Sequence, residues 1–441
     1  MSTKEKILRP IKRIHGGIRL VHHKHTADCE SISFEPKTVY IPTLQHIGVP
    51  CTPVVEKGQY VHIGTLIADS DKPMSVPIHS SVSGTVTDIK DIDFGGIKKK
   101  CIVIESDGKF MPDPDLKPFK VETTADLIQA ARNSGLVGLG GAGFPTHIKL
   151  TPKENVEIDT LIVNCAECEP YITSDYREAM ENYDDLFDCI YLLKEKLKLK
   201  QIVICVESNK PKAIKKLYQI SADKQDVDNT VRLMKLPSQY PQGAEKVIIY
   251  SATGRVLPSG KLPSDIGCMV LNITSLGTLY RYVSTGMPLT HKRITLDGTA
   301  VKSPKNYIVP LGTRVSDLLE EAACIDETAD KIILGGPMMG SAIADINTPI
   351  EKRNNAVLIM KEEPPKETTQ CIRCGRCAAA CTMQLYPSAI EAAYNASNIE
   401  KLKELNATNC MECGSCSYIC PAKRPLTQIT KAAKAQVRRL K

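Results

Sequence analysis

The sequence predicts a multidomain protein of α/β and α+β modules, and three observations carry that prediction. At 441 residues the chain exceeds one ordinary hydrophobic core, so roughly three to five domains are expected. Short β-type segments punctuated by Gly and Pro run from Tyr40 to Glu105, whereas helical spacing and a glycine-rich loop take over after Thr124. Near the C-terminus, Cys371-Ile-Arg-Cys374-Gly-Arg-Cys377-Ala-Ala-Ala-Cys381 and Cys410-Met-Glu-Cys413-Gly-Ser-Cys416-Ser-Tyr-Ile-Cys420 both read C-x2-C-x2-C-x3-C.

Three thiolates at that spacing lie on one tight loop and hold three irons of a cubane, while the fourth reaches the neighbouring cluster. The runs therefore predict two 4Fe-4S clusters and single-electron transfer. Crossed ligation assigns Cys371, Cys374, Cys377 and Cys420 to one cluster, and Cys410, Cys413, Cys416 and Cys381 to the other. Two zinc ribbons are the competing reading, but zinc favours paired C-x2-C knuckles with four ligands in total. With 17 cysteines, no secretory signal and charges throughout the first sixteen positions, the chain reads as cytosolic, where thiols stay reduced. The other cysteines, such as Cys205 and Cys324, sit in apolar surroundings and read as small buried hydrophobes.

No apolar run approaches the roughly eighteen residues needed to span a bilayer, so any membrane link is expected to be peripheral. The net charge of +7 is concentrated: Pro421 to Lys441 hold seven Lys or Arg and no acid. This tail lacks the aromatic interleaving of a nucleic-acid binder. An acidic protein or an anionic membrane surface suits it better, with a merely solvated helix face as the bland reading.

Between Tyr40 and Glu105, G-x-x-V-x-x-G, a hairpin and S-G-T-V resemble the barrel-sandwich hybrid of lipoyl and biotinyl domains. Lys72 lies where carriers bear a modified lysine, which makes a swinging-arm carrier an alternative. Pro73 follows it, however, and the stretch from Lys72 to Gly84 is a residue too long.

Leu127, Ala130 and Ala131 lie at helical spacing within Thr124–Arg132, with Asp126 early and Gly135 just beyond. Gly138, Gly140 and Gly143 then satisfy G-x-G-x-x-G, yet the helix precedes them and the strand Leu161–Val163 follows, the reverse of a Rossmann unit. Such a loop, with Gly141 beside Gly140, closes backbone N–H groups on an anion, and Lys149 adds a point charge. A flexible linker is the alternative, though Leu139, Phe144 and Pro145 are interleaved with the glycines.

GLGGAGFPTHIK resembles the glycine-rich loop of the 51-kDa-type flavin- and NADH-binding subunit of respiratory complex I, and residues 162–170 resemble that family's N-A-D-E-G-E-P segment. The resemblance implies that Asn164 faces the flavin and that Glu167 and Glu169 line the nicotinamide-nucleotide pocket. Ala166 replaces the family aspartate and Cys168 a glycine. Pro241-Gln-Gly243-Ala244-Glu245 is similar to the G-E-E loop with one glutamate lost, and Asn272, Thr274 and Ser275 to the turn that contacts the flavin phosphate. A hydride delivers two electrons together and a cubane accepts one, so a chain owning both ends needs a flavin between NAD(H) and the clusters, and the resemblance implies FMN. Cys165 and Cys168 have knuckle spacing but no second pair nearby, and are read as packing.

Lys292 to Leu319 read as three short strands and a helix resembling the SLBB β-grasp, and residues 362–367 mark a linker. Taken in order, the modules resemble the RnfC family, a component of the Rnf electron transport complex. Expected boundaries are an arm over 1–35, the barrel-sandwich hybrid over 36–120, the FMN/NADH domain over 121–285, the β-grasp over 286–350, a two-cluster ferredoxin domain over 362–425 and a basic tail over 426–441.

This resemblance implies a peripheral NADH-reactive subunit on the cytoplasmic face of the bacterial membrane. Its partners would be membrane-embedded and cluster-bearing Rnf subunits and, indirectly, ferredoxin, with coupling to Na+ or H+ transport. A soluble NADH-dependent cobalamin reductase and a docking scaffold without flavin are the alternatives. Leu426, Ile429, Ala433, Val437 and Leu440 give the tail a partly apolar face, the candidate docking segment. His15, His22, His23 and His25 raise a metal site, which basic neighbours such as Lys24 disfavour.

Overall fold

The structure, a computed structural model, describes residues 7–151, 156–223, 230–322, 325–326, 328–364 and 367–439. Cys324, Leu440 and part of the expected linker (365–366) lie outside the described residues. The β-rich region forms two small sheets. One is antiparallel and places Lys98–Ser106 between Thr38–Pro42 and Gly84–Asp93, with Tyr60–Val61 at its edge; the other joins Thr52–Pro53, Leu66–Asp69 and Ile78–His79. Alternation along these strands sends Val39, Ile41, Ile67, Val86 and Ile104 into one core. Lys72 is exposed in a bend between Leu66–Asp69 and Ile78–His79.

The next domain centres on a parallel sheet in the order Val231–Leu236, Gln201–Glu207, Thr160–Cys165, Cys268–Asn272. Its strands are near-continuous apolar runs because helices cover both faces. The expected helix spans Thr124–Asn133, held by a reciprocal capping box between Thr123 and Asp126. Asn164 and Asn272 are register partners at the carboxyl ends of adjacent strands, where open α/β sheets present their ligand crevice.

A six-stranded mixed sheet follows, with the helix Val315–Ala322 packed on it. The stretch 292–319 supplies two strands here, His291–Asp297 and Lys305–Pro310, rather than the three expected. The remaining strands come from Ala329–Leu334, Ser341–Ile343, Ala356–Lys361 and, unexpectedly, Ser31–Ser33 of the N-terminal arm. That arm is a strap: Ile18 exchanges backbone hydrogen bonds with Tyr240, and Gly17 N–H donates to Ala380 O at 2.9 Å.

Among the described residues, five α-helices build the C-terminal domain. The tail corrects the docking expectation. Leu426–Arg439 is a helix whose Leu426, Ala433 and Val437 are buried, the last two against Leu385, Ile390 and Leu402, so three residues of its expected apolar face are covered by its own domain and Ile429 is half-buried.

Candidate functional site

The strand ends, the glycine loop and parts of three neighbouring domains enclose a cavity of about 890 Å³, near the upper end of ordinary ligand sites. Gly138, Gly140 and Gly141 line it, as do Lys149, Asn164, Glu167, Glu169, Gly243, Glu245, Asn272 and Ser275. Two expected contacts do not. Gly143, at φ +65°, closes the turn by donating to Gly138 O, and Thr274 turns its hydroxyl to Asp175 Oδ1 at 2.7 Å.

The glycines act differently. At Gly141 (φ +110°) the space a Cβ would take is open, whereas at Gly243 a Cβ would lie 2.3 Å from Ala166 O, a backbone clash only glycine avoids. Both asparagines are committed to the framework. Asn164 donates to Gly243 O at 2.8 Å and accepts from Ala166 N, while Asn272 caps the helix Ile273–Thr285 and donates to Asp175 at 2.7 Å. Lys149 and Glu245, expected as separate ligand contacts, form a 3.0 Å ion pair with each other.

Charge is dense beneath the loop 164–170. Lys24 Nζ donates to the carbonyls of Glu167, Glu169 and Ile172, so one cation from the arm organises this wall. Burial pushes Glu167 up and Lys24 down, against their mutual attraction. Burial also raises Glu169 to about 7, although its carboxylate accepts from Met338 N at 3.0 Å and Met339 N at 2.9 Å. Lys292, lowered to about 8 by burial, donates to Leu139 O behind the glycine loop. Glu167 Oε2 and Thr146 Oγ1 are buried at the cavity without hydrogen-bond partners among the described residues. With the open face of Gly141, these atoms suit a polar, phosphate-bearing cofactor.

Reading the residues missed Asp175, Tyr240 and Met411, all of which line the cavity. Asp175 resembles an ordinary acid in the first turn of the helix Ser174–Glu181. Phe94, Ile97 and Lys99 of the barrel-sandwich hairpin also reach the cavity, where Lys99 pairs with Glu351. Of the four arm histidines, His25 meets buried Asp297 at 3.0 Å and His23 stacks on Tyr171.

Cys381, Cys410, Cys413 and Cys416 converge on one small chamber. Leu385 N–H points to Cys381 Sγ at 3.4 Å and Glu412 N–H to Cys410 Sγ at 3.3 Å, the kind of contact that tunes cluster sulfurs. Cys377 and Cys420 pack in a second group, while Cys371 and Cys374 are exposed. Among the described residues no three His, Cys, Asp or Glu close on a single metal ion. A cubane spreads its thiolates over separate irons, so the wider spacing fits the cluster chemistry. Met411 lines both the cavity and the chamber, and Tyr240, Cys168, Met338 and Cys413 pack together between them.

A phosphate-suited cavity sharing a wall with a four-thiol chamber defines a flavin- and cluster-carrying electron-transfer protein. Family models agree: an RnfC barrel sandwich hybrid domain matches residues 12–109, a Nuo51 FMN-binding domain 131–281, an SLBB domain 293–342 and a 4Fe-4S dicluster domain 370–423. The C subunit of the proton-translocating ferredoxin:NAD(+) oxidoreductase complex of Clostridium ljungdahlii is 39% identical, covering 89% of this chain and 87% of that protein. The Na(+)-translocating counterpart of Acetobacterium woodii is 36% identical, covering 96% of each. The C subunit of the ion-translocating oxidoreductase complex of Rhodobacter capsulatus is 34% identical, covering 96% of this chain and 83% of that protein. A NAD+-reducing [NiFe]-hydrogenase, at 18% identity and a TM-score of 0.51 over 71% of this chain and 63% of that one, shares the fold.

The chain belongs to the RnfC family, the C subunits of ion-translocating ferredoxin:NAD(+) oxidoreductase complexes. Its cofactor complement is FMN and two 4Fe-4S clusters. The reading as a cobalamin reductase finds no support among these relatives.

Proposed function

We propose that this chain is the NADH-reactive, peripheral electron-transfer subunit of a membrane complex that exchanges electrons between ferredoxin and NAD and couples this to Na+ or H+ movement. The observation that carries the reading is the wall shared by cavity and chamber through Met411. FMN bound there would take the electron pair of a hydride and release it one electron at a time.

Gly138, Gly140 and Gly141 would cradle the flavin phosphate with Asn272 and Ser275, at the N-terminus of Ile273–Thr285. Glu167 and Glu169 would bound the nicotinamide side, where Lys24 keeps their loop in place. Asn164 would act by holding Gly243, and Lys149 with Glu245 would close one edge of the cavity. The chamber thiols would ligate the cluster nearer the flavin, and Cys371, Cys374, Cys377 and Cys420 the further one. The domain order is kept, but the β-grasp sheet would extend beyond 286–350 to take in Ser31–Ser33 and Ala356–Lys361, and the tail helix would belong to the cluster domain.

No helix among the described residues is long and apolar enough to cross a membrane. Attachment at the cytoplasmic face would therefore depend on the complex's membrane subunits, with no role for nucleic acid. Denaturing cluster-replete protein should release about one FMN per chain, and NADH should bleach the cluster absorbance. Absence of both would leave a docking scaffold without flavin.

A further inference from the structure

We infer that the loop carrying Cys371 to Arg376 is a docking port for an acidic protein that carries single electrons. The inference rests on the cluster assignment above but concerns a surface that assignment does not name.

The two cysteine groups differ in exposure. Cys410, Cys413 and Cys416 are covered to varying degrees, whereas every residue from Glu367 to Arg376 is exposed, Cys371 and Cys374 included. Thiols that hold a cluster at the surface let an electron cross to another protein without passing through intervening packing. The loop is also braced. Thr369 N–H donates to Ala422 O at 3.1 Å, and Arg424 donates to Thr369 O at 2.9 Å while its guanidinium grips Glu391.

Charge selects the partner. Arg373 and Arg376 lie within the loop, and Lys423 is joined to it where Thr368 Oγ1 donates to Lys423 O at 3.2 Å. Arg373, Arg376 and Lys423 are in no ion pair among the described residues, and Arg424 neutralises Glu391. Glu367 is the one acid on the exposed stretch. Ile372, 66% exposed, stands between the two cysteines of the loop as an apolar contact. An exposed apolar residue on a loop carrying unpaired cations suits a brief encounter steered by charge. A lipid surface would attract the same cations but cannot take electrons from exposed thiolate ligands.

One electron crosses per encounter. Oxidation of NADH to NAD+ and H+ releases two, so two encounters complete it, and the reverse direction consumes the same two electrons and one proton.

The test uses the full cluster-loaded chain within the detergent-solubilised complex. Arg373→Glu with Arg376→Glu, and separately Lys423→Glu, should keep iron and sulfide content and bleaching by NADH. Electron passage to the rest of the complex should slow by about tenfold or more at low salt, a difference that shrinks near 0.5 M salt as screening takes over. A photo-crosslinking residue at position 372 should label an acid-rich segment of a subunit that bears a cluster or flavin. Unchanged transfer in the charge-reversed chains overturns the proposal, as does crosslinking to lipid, to a subunit without a redox group or to nothing. Loss of NADH bleaching in the unaltered chain would instead sink the proposed function.

Discussion

The phenol of Tyr240 donates a 2.7 Å hydrogen bond to the carbonyl oxygen of Cys413. Tyr240 lines the cavity and Cys413 the chamber, so one side chain spans the wall between the nucleotide-binding and cluster-binding regions. Burial pushes the phenol well above its usual range, so it remains a donor. Tyr240→Phe keeps the ring but strands that carbonyl, at about 1 kcal/mol. The expected outcome is unchanged FMN and iron content with cluster bleaching by NADH slowed severalfold, read by anaerobic stopped-flow. Equal rates would mean that the bond only fastens the loop.

Crossed ligation makes single-cysteine variants asymmetric. Cys420→Ser should remove the cluster of the Cys371 run, and Cys381→Ser that of the Cys410 run. In either case about four of eight irons are lost. Paramagnetic resonance of the reduced variants distinguishes which cluster survives. Should Cys420→Ser instead empty the Cys410 chamber, ligation is not crossed.

Glu169 predicts a pH dependence. Burial raises it from 4.5 to about 7, so between those values the folded chain keeps a proton that the unfolded chain has released. Its contribution is fully present below about 4.5 and is lost as pH rises through about 7, a decline of about 3 kcal/mol. Glu169→Gln keeps acceptor capacity for the Met338 and Met339 N–H groups and does not ionise. The thermal midpoint of the variant relative to the parent should therefore climb from pH 4.5 to 7.5, and a flat difference would refute this.

Ending the chain at Pro425 removes Leu426, Ala433 and Val437 from the cluster-domain core. It also removes Lys434, whose Nζ donates to Cys410 O at 2.7 Å. The truncated protein should fail to retain the Cys410-run cluster, at a cost of several kcal/mol in lost burial. Full iron content in the truncated chain would show that the helix is dispensable.

The apolar stripe of that helix shows where reading residues alone stops. Leu426, Ala433 and Val437 recur at helical spacing whether they face a partner or their own domain, because periodicity reports that a face is covered and not by what. The arm is similar: Lys24 stands among histidines in the chain, and only the fold carries its ammonium to three carbonyls more than a hundred residues away. In the β-grasp, the helix and two strands were legible from alternation. The strands contributed by Ser31–Ser33 and Ala356–Lys361 were not, since their pairing depends on long-range closure.

By itself the sequence determined the two cysteine runs and the clusters they imply, the glycine loop and the order of the domains. The runs and the loop follow from spacing within short stretches, where a few bonds restrict which atoms can meet, and the domain order from resemblance to the RnfC family. Tertiary structure alone decided that Asp175, Tyr240 and Met411 border the cavity, that Lys149 is engaged by Glu245, and that Cys371 and Cys374 reach the surface while the chamber thiols are half-buried. Those relations join segments far apart in the chain, and they are set by how separately folded domains pack against one another.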